Sequence, residues 1–362
     1  MALKKEVLLT LFLPAVIVGK IVRWNFSGSL VENSLGHAYL NDILYGTPGF
    51  SIWNFSSSLS VSDNVIFLYK FLTVFGLNTY NDFEALISVV FNLLLFFMLI
   101  RLKNIIDPPL LIFSLVSVVL LNMFAFTLAK EPIQMLLFTS YWHILQNSAS
   151  VKKRGVLIIA VAILYILLLR AYYILMIIFF LSLQSQTSIG RDSGPGHWFA
   201  ALAATACIFF CILKISALLA PDVYSTLQYL RSAKRIDAHL WNTSIKPLFT
   251  AGGVTDILLT LEFFSVLFRL LIPLELLVIT TRVNWLLKIM FIMYQLLVTT
   301  KVCVNIKEFR RLSKEKKIAL NLFLAFLFMS SVFEPDFGSF VRHESICFPV
   351  LLLVFDKSEN NI

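Results

Sequence analysis

The sequence predicts an all-α fold, a polytopic integral membrane helical bundle with roughly 10–13 transmembrane segments, some of them broken or short. Three observations carry this. Of the 362 residues, 59% are hydrophobic and only 14% are charged, whereas soluble domains run near about a quarter charged. The mean hydropathy is +0.84. Apolar runs of membrane length recur from end to end, with basic residues gathered in the short loops between them.

Taken in order, the apolar segments fall at about 6–22, 65–80, 84–101, 110–128, 132–147, 155–184, 197–218, 254–281, 284–304, 318–333 and 342–355. After the first comes Arg23-Trp24 and no small-residue cleavage signature, so it reads as a retained helix. The second is short and carries Lys70; it is either a span or an amphipathic helix lying on the surface. Segment 155–184 has Arg170 at its middle, which allows one tilted helix or two short ones with Arg170 at an external turn. Segment 254–281 poses the same choice at Arg269. The chain shows no soluble domain, low-complexity linker or internal repeat. It reads as one membrane-embedded domain over 1–362, with long loops at about 24–64, taken as external, and 219–253, which is external if both long segments split and cytoplasmic if neither does.

The formal charge is +9, but its distribution excludes a nucleic-acid role. Lys4-Lys5, Arg101 and Lys103, Lys152-Lys153-Arg154, and Lys307 through Lys317 occupy short loops. That is the pattern that places loops on the cytoplasmic side. The N-terminus, 152–154 and 305–317 are then cytoplasmic, and 129–132 and 334–342 meet on the external side. Cys207, Cys211, Cys303 and Cys347 sit in apolar stretches. Their spacing matches neither a metal site nor a disulfide framework, so they read as small packing residues. Phosphate-binding loops, dinucleotide fingerprints, zinc-protease motifs and nucleophile elbows are absent from the sequence. ATP-driven transport, nucleotide redox chemistry and zinc hydrolysis lose support.

What stands out is charge within apolar sequence. An Arg at mid-membrane costs at least about 2.5–3.5 kcal/mol on insertion scales and persists where it faces a polar cavity or an anionic partner. Arg170 and Arg269 are such residues; Arg269 has internal acids within reach, Glu262 or Glu275, while Arg170 has none nearby in sequence. Lys130-Glu131-Pro132 opens a helix, where proline is favoured and an acid suits the helix dipole. The same pair could instead supply a cation for an anionic group and a carboxylate base. In "FEPDFGSFVRH", Pro335 and Gly338 break a helix, Glu334 and Asp336 flank the proline, and Arg342-His343 open the last segment. A solvated turn is one account; an Arg for phosphate beside a proton-transferring carboxylate or His is the other. Arg231, Lys234 and Arg235 share a helical face, with His239 one turn on, suited to solvent or to anionic headgroups. Glu32 and His37 lie in the first external stretch, and His143 reads as a packed helix residue.

The order of these elements resembles a known family. "VENSLGHAY" follows the first helix, then "TVFGLNTYNDFEALISVVFNLL", "AKEPI", "LRAYYIL", "FRLLIPLELL" and "FEPDFGSFVRH". The series is similar to the Wzy-type polymerases of O-antigen and capsular polysaccharide gene clusters, and more broadly to GT-C-like lipid-dependent glycosyltransferases, over most of the chain. The resemblance implies a GT-C-like bundle in the bacterial inner membrane, joining oligosaccharide repeat units carried on undecaprenyl diphosphate at the external face. By the same resemblance, 219–253 is external. It implies no cofactor and no metal. The implied partners are the lipid-linked oligosaccharide, the bilayer and, as an open alternative, a membrane protein that regulates chain length. Lys130, Arg170, Arg231, Arg235, Arg269 and Arg342 would hold the diphosphate; Glu131, Glu334, Asp336 and His343 are the candidate proton acceptors. Rival readings are a flippase for lipid-linked sugars, a membrane acyltransferase and a transferase of single polyprenyl-linked sugars.

Overall fold

Apolar composition becomes helix almost throughout. The computed structural model describes residues 3–30, 43–45, 63–102, 105–147, 150–168, 171–189, 195–219, 221–230, 245–250, 255–278, 285–334 and 336–356. The helices are α1 (Lys5–Leu30), α2 (Asp63–Leu72), α3 (Tyr80–Ile100), α4 (Pro108–Leu120), α5 (Glu131–Asn147), α6 (Val151–Leu168), α7 (Ile174–Ile189) and α8 (Pro195–Leu219). They continue with α9 (Pro221–Leu230), α10 (Asp256–Leu271), α11 (Glu275–Val278), α12 (Trp285–Lys307), α13 (Lys314–Phe333), α14 (Phe337–Ser345) and α15 (Phe348–Phe355). Among the described residues the only strand pairing is β1 (Leu3–Lys4) against β2 (Ile105–Ile106), two residues each and antiparallel.

The chain is an all-α membrane protein. Among the described residues, 6 helices are long and apolar enough to cross a membrane. They are Lys5–Trp24 within α1, then α3, Pro108–Ala125, Ala201–Leu219 within α8, α12 and α13. Helices α14 and α15 form a further pair bent by 73°. Shorter apolar helices cover Val65–Phe75 and Ile174–Gln186. Local chemistry sets several ends. Gly76, at φ 84°, stops the turn after α2 in a conformation that only glycine adopts at little cost. Thr79 and Asp82 form a reciprocal capping box at the start of α3. Asp107 caps α4 by accepting from the Leu110 amide at 3.1 Å, ahead of a proline at the first helical position.

Several open choices resolve here. Segment 155–184 holds two helices, α6 ending at Leu168 and α7 starting at Ile174 after a 3-10 turn over Ala171–Tyr173; Arg170 itself lies outside the described residues. Segment 254–281 does not divide at Arg269, which sits in the last turn of α10. Cys207, Cys211 and Cys303 are exposed on helix faces and not packed, as lipid-facing residues can be, while Cys347 is buried. The chain groups into two compact units: Met1–Ile174 with Arg342–Asn360, and Leu175–Val341 with Asn361–Ile362.

In the first unit, α1 lies against α4 and the turn after it. The approach is close because position 19 is glycine: a Cβ there would sit 2.7 Å from the Val119 carbonyl oxygen and 2.8 Å from Asn122 Cβ. Phe113 of α4 stacks on Phe355 at 4.0 Å between centroids and on Phe348 at 5.6 Å, which fixes α15 beside α4. Helix α15 also packs on α5. In the second unit, Phe263 of α10 contacts the rings of Phe209, Phe179 and Phe328. Helix α13 is buried along most of its length.

Replacing Gly19 by alanine places a methyl group against backbone that cannot yield. Gly19→Ala is expected to destabilise the protein by about 1–3 kcal/mol through overpacking, read as a lower unfolding temperature in detergent. Alanine at Gly155, inside α6 where nothing lies within 4 Å of a new Cβ, serves as the control and should not lower that temperature, since alanine favours the helix.

Candidate functional site

The site begins where α4 stops being an α-helix. After Leu120 the chain widens into one π-helical turn, Leu121–Ala125, closed by the Phe126 amide on the Leu121 carbonyl at 2.9 Å. Residues 126–130 are not helical, and α5 starts at Glu131. Asn122 helps to explain the change. Its amide donates to the Val118 carbonyl at 3.0 Å and exchanges hydrogen bonds of 2.8 and 2.9 Å with Asn92 of α3. Such side chains offer the backbone an alternative to the regular ladder.

Neighbouring side chains take up carbonyls of this break. Arg23 Nη1 donates to the Met123 carbonyl at 3.2 Å. Lys20 Nζ and Ser88 Oγ both donate to the Phe126 carbonyl at 3.3 Å. The Tyr69 hydroxyl donates to the Ala129 carbonyl at 2.6 Å. Arg23 also grips Glu84 with two nitrogens, Nε to Oε1 at 2.9 Å and Nη2 to Oε2 at 3.2 Å, and Lys20 reaches the same Oε1 at 3.0 Å. Arg23 Nη2 further donates to the Tyr80 hydroxyl at 2.8 Å.

The break delivers Lys130 and Glu131 to the residues that precede α15. Glu131 is 1% exposed. Its Oε1 lies 3.1 Å from Arg342 Nε and 3.3 Å from His343 Nε2. Residues 131 and 343 are 212 apart in sequence. Burial alone would push the Glu131 carboxyl up; the charges of Arg342, His343 and Lys130 beside it outweigh that and hold it well below the usual carboxylate range. Arg342 keeps 30% of its side chain exposed, with its Nε buried, so the cluster is closed at the carboxylate and partly open along Arg342.

Four residues singled out from the sequence therefore meet in the first unit: Lys130, Glu131, Arg342 and His343. Three others lie in the second unit and have local duties. Arg269 Nη2 donates to Glu275 at 2.7 Å and its Nη1 to the Lys246 carbonyl at 2.6 Å, with Glu262 at 3.9 Å. Glu262 in turn accepts from the Leu248 and Phe249 amides, each at 2.8 Å. Arg269, expected from the resemblance to hold diphosphate, is here met by acids of its own segment. Asp336 caps α14 by accepting from the Ser339 amide at 2.8 Å, and Glu334 is the C-terminal cap of α13. Both acids are buried, so the turn is not the solvated one the sequence allowed. His143 is exposed, with Asn147 Nδ2 donating to its ring at 3.0 Å, where packing was expected. Arg170, Arg231, Arg235, Lys234, His239, Glu32 and His37 lie outside the described residues.

Sequence reasoning passed over Lys20, Arg23, Tyr80 and Glu84. The signal was present: two cations three residues apart at the end of one span, and an acid entering the next. Among the described residues, no group of three or more His, Cys, Asp or Glu could hold a metal ion. Comparison with protein-family models, with curated proteins and with solved structures gives no match.

Because the Glu131 carboxyl is held below its ordinary value, the stability it contributes is complete above that value and fades as pH falls further. Glu131→Gln is expected to cost about 3 kcal/mol near neutral pH, the low end for breaking a buried pair because Arg342 retains solvent. Unfolding temperatures of the two proteins should differ at pH 7 and draw together below about pH 4, the unfolded carboxyl value.

Proposed function

We propose that the chain is a glycosyltransferase that polymerises oligosaccharide repeat units carried on undecaprenyl diphosphate, working at the external face of the bacterial inner membrane. The observation that supports this best is the meeting of "AKEP" with "FVRH". It places two cations and a histidine around one buried carboxylate, beside an irregular backbone segment at the end of a span. Breaking the bond between an anomeric carbon and a diphosphate leaves an electron pair and growing negative charge on the leaving oxygen. It also leaves positive character on the carbon. Arg342, open to solvent on one side, and Lys130 are the groups that would meet the leaving diphosphate. Fixed cations in a site shielded from water stabilise such charge far more than they would in bulk.

The incoming sugar hydroxyl must lose a proton as its oxygen bonds to the anomeric carbon. His343 is the better proton acceptor of this cluster. With Nε2–H donating to Glu131, Nδ1 carries the lone pair, and the carboxylate orients the ring. Glu131 itself, stripped of basicity by its neighbours, acts through His343 as a positioning residue. The sequence left the proton acceptor open among Glu131, Glu334, Asp336 and His343; the contacts of Glu131 and the capping role of Asp336 favour His343.

The test is the glycan ladder of cells lacking the gene. Single capped repeat units with no ladder, restored by wild type but not by Arg342→Ala or His343→Ala, are expected. Purified His343→Ala should lose about 10²–10⁴-fold in polymerising rate, the usual contribution of a general base. Complete loss of surface glycan, with lipid-linked units held at the inner leaflet, would overturn the reading in favour of a flippase. An unfinished repeat unit would overturn it in favour of a single-sugar transferase.

A further inference from the structure

Helices α12 and α13 are both long and apolar enough to cross a membrane, and the turn between them runs only from Lys307 to Lys314. Such a turn must sit where hydrocarbon gives way to headgroups. Residues 307–317 hold Lys307, Arg310, Arg311, Lys314, Lys316 and Lys317 against Glu308 and Glu315. Lys307, Arg310, Arg311 and Lys314 are exposed. No ion pair within the described residues engages Lys307, Arg311 or Lys314.

The turn is also held in shape. Phe309 and Leu312 are buried, so the 3-10 turn Phe309–Arg311 presents Arg310 and Arg311 outward between two inward anchors. Ser313 caps α13 by accepting from the Lys316 amide at 3.3 Å. Lys317 Nζ donates to the Arg310 carbonyl at 3.3 Å and lies 5.3 Å from the centre of the Phe309 ring. Cations on such a turn lose little freedom when they meet a ligand, and two neighbouring guanidinium forks suit phosphate oxygens.

We infer that the 307–314 turn is a binding site for the headgroup phosphates of anionic phospholipids, with Lys307, Arg310, Arg311 and Lys314 as its ligands. The site is independent of the sugar chemistry proposed above. Because α13 is a buried core helix, occupancy should be felt as stability of the second unit and not only as surface adsorption.

The full chain is placed in nanodiscs of phosphatidylcholine alone or of phosphatidylcholine with phosphatidylglycerol, and its unfolding temperature is followed. A higher temperature with phosphatidylglycerol, reduced by added salt and not reproduced by inorganic phosphate, is expected. Lys307→Gln with Arg310→Gln, Arg311→Gln and Lys314→Gln should remove the rise, each lost cation weakening lipid binding about fivefold. Arg310→Lys with Arg311→Lys keeps the charge that sets topology and should retain only part of the rise. An equal rise in the fourfold variant, or none for wild type, overturns the inference; the wild-type comparison needs no variant to fold.

Discussion

A carbonyl oxygen shut away from water without a donor destabilises a membrane protein by several kcal/mol, and residues 121–130 put such carbonyls inside a packed helix cluster. The arrangement of the first unit follows from that constraint. Met123, Phe126 and Ala129 each receive a side-chain donor from a helix other than their own. The donors Lys20 and Arg23 need a counter-charge where they lie, and Glu84 supplies it to both. Gly19 then lets α1 come close enough to α4 for those two side chains to reach. One irregular turn thus accounts for a glycine, two cations, an acid and a tyrosine on three different helices.

Buried charges in this chain fall into two kinds. Arg269 and Arg23 each meet a carboxylate through two nitrogens or two acids and also serve a backbone carbonyl. Their geometry is explained by the fold they hold together, and a buried pair of this sort is weak ground for a functional assignment. The Glu131 cluster differs in arrangement. One oxygen of one buried carboxylate faces both Arg342 and His343, with Lys130 adding to the same field, and Arg342 keeps part of its side chain exposed.

The helices were legible because apolar run length is a direct physical signal: most segments read from composition fall on one helix, while 155–184, 254–281 and 342–355 each cover two. What composition does not carry is the point at which a run stops being regular. The π turn at Leu121–Ala125 depends on Asn122 meeting Asn92 some thirty residues away, and no local pattern announces such a pairing. At the site, Lys130-Glu131 and Arg342-His343 stood out as charges in greasy sequence. Their joining was not legible, because it is made by the stacking of Phe113 on Phe348 and Phe355. Asp336 could have been read more closely: an Asp three residues before Ser339, at the head of a helix, is a capping pattern.

The bent end of the chain shows why charged residues can sit there at all. A helix of the length of α15 rises only about 12 Å, well short of the ~30 Å of a hydrocarbon core. Segment 342–355, which reads as a last span, is therefore a polar helix turned 73° from a short apolar one. Helix α15 is buried along its whole length against α4 and α5, with two of its phenylalanines on Phe113. A phenylalanine facing acyl chains gains little by moving into protein, so the ring stack works through shape, by leaving α15 one position in which α14 ends beside the break.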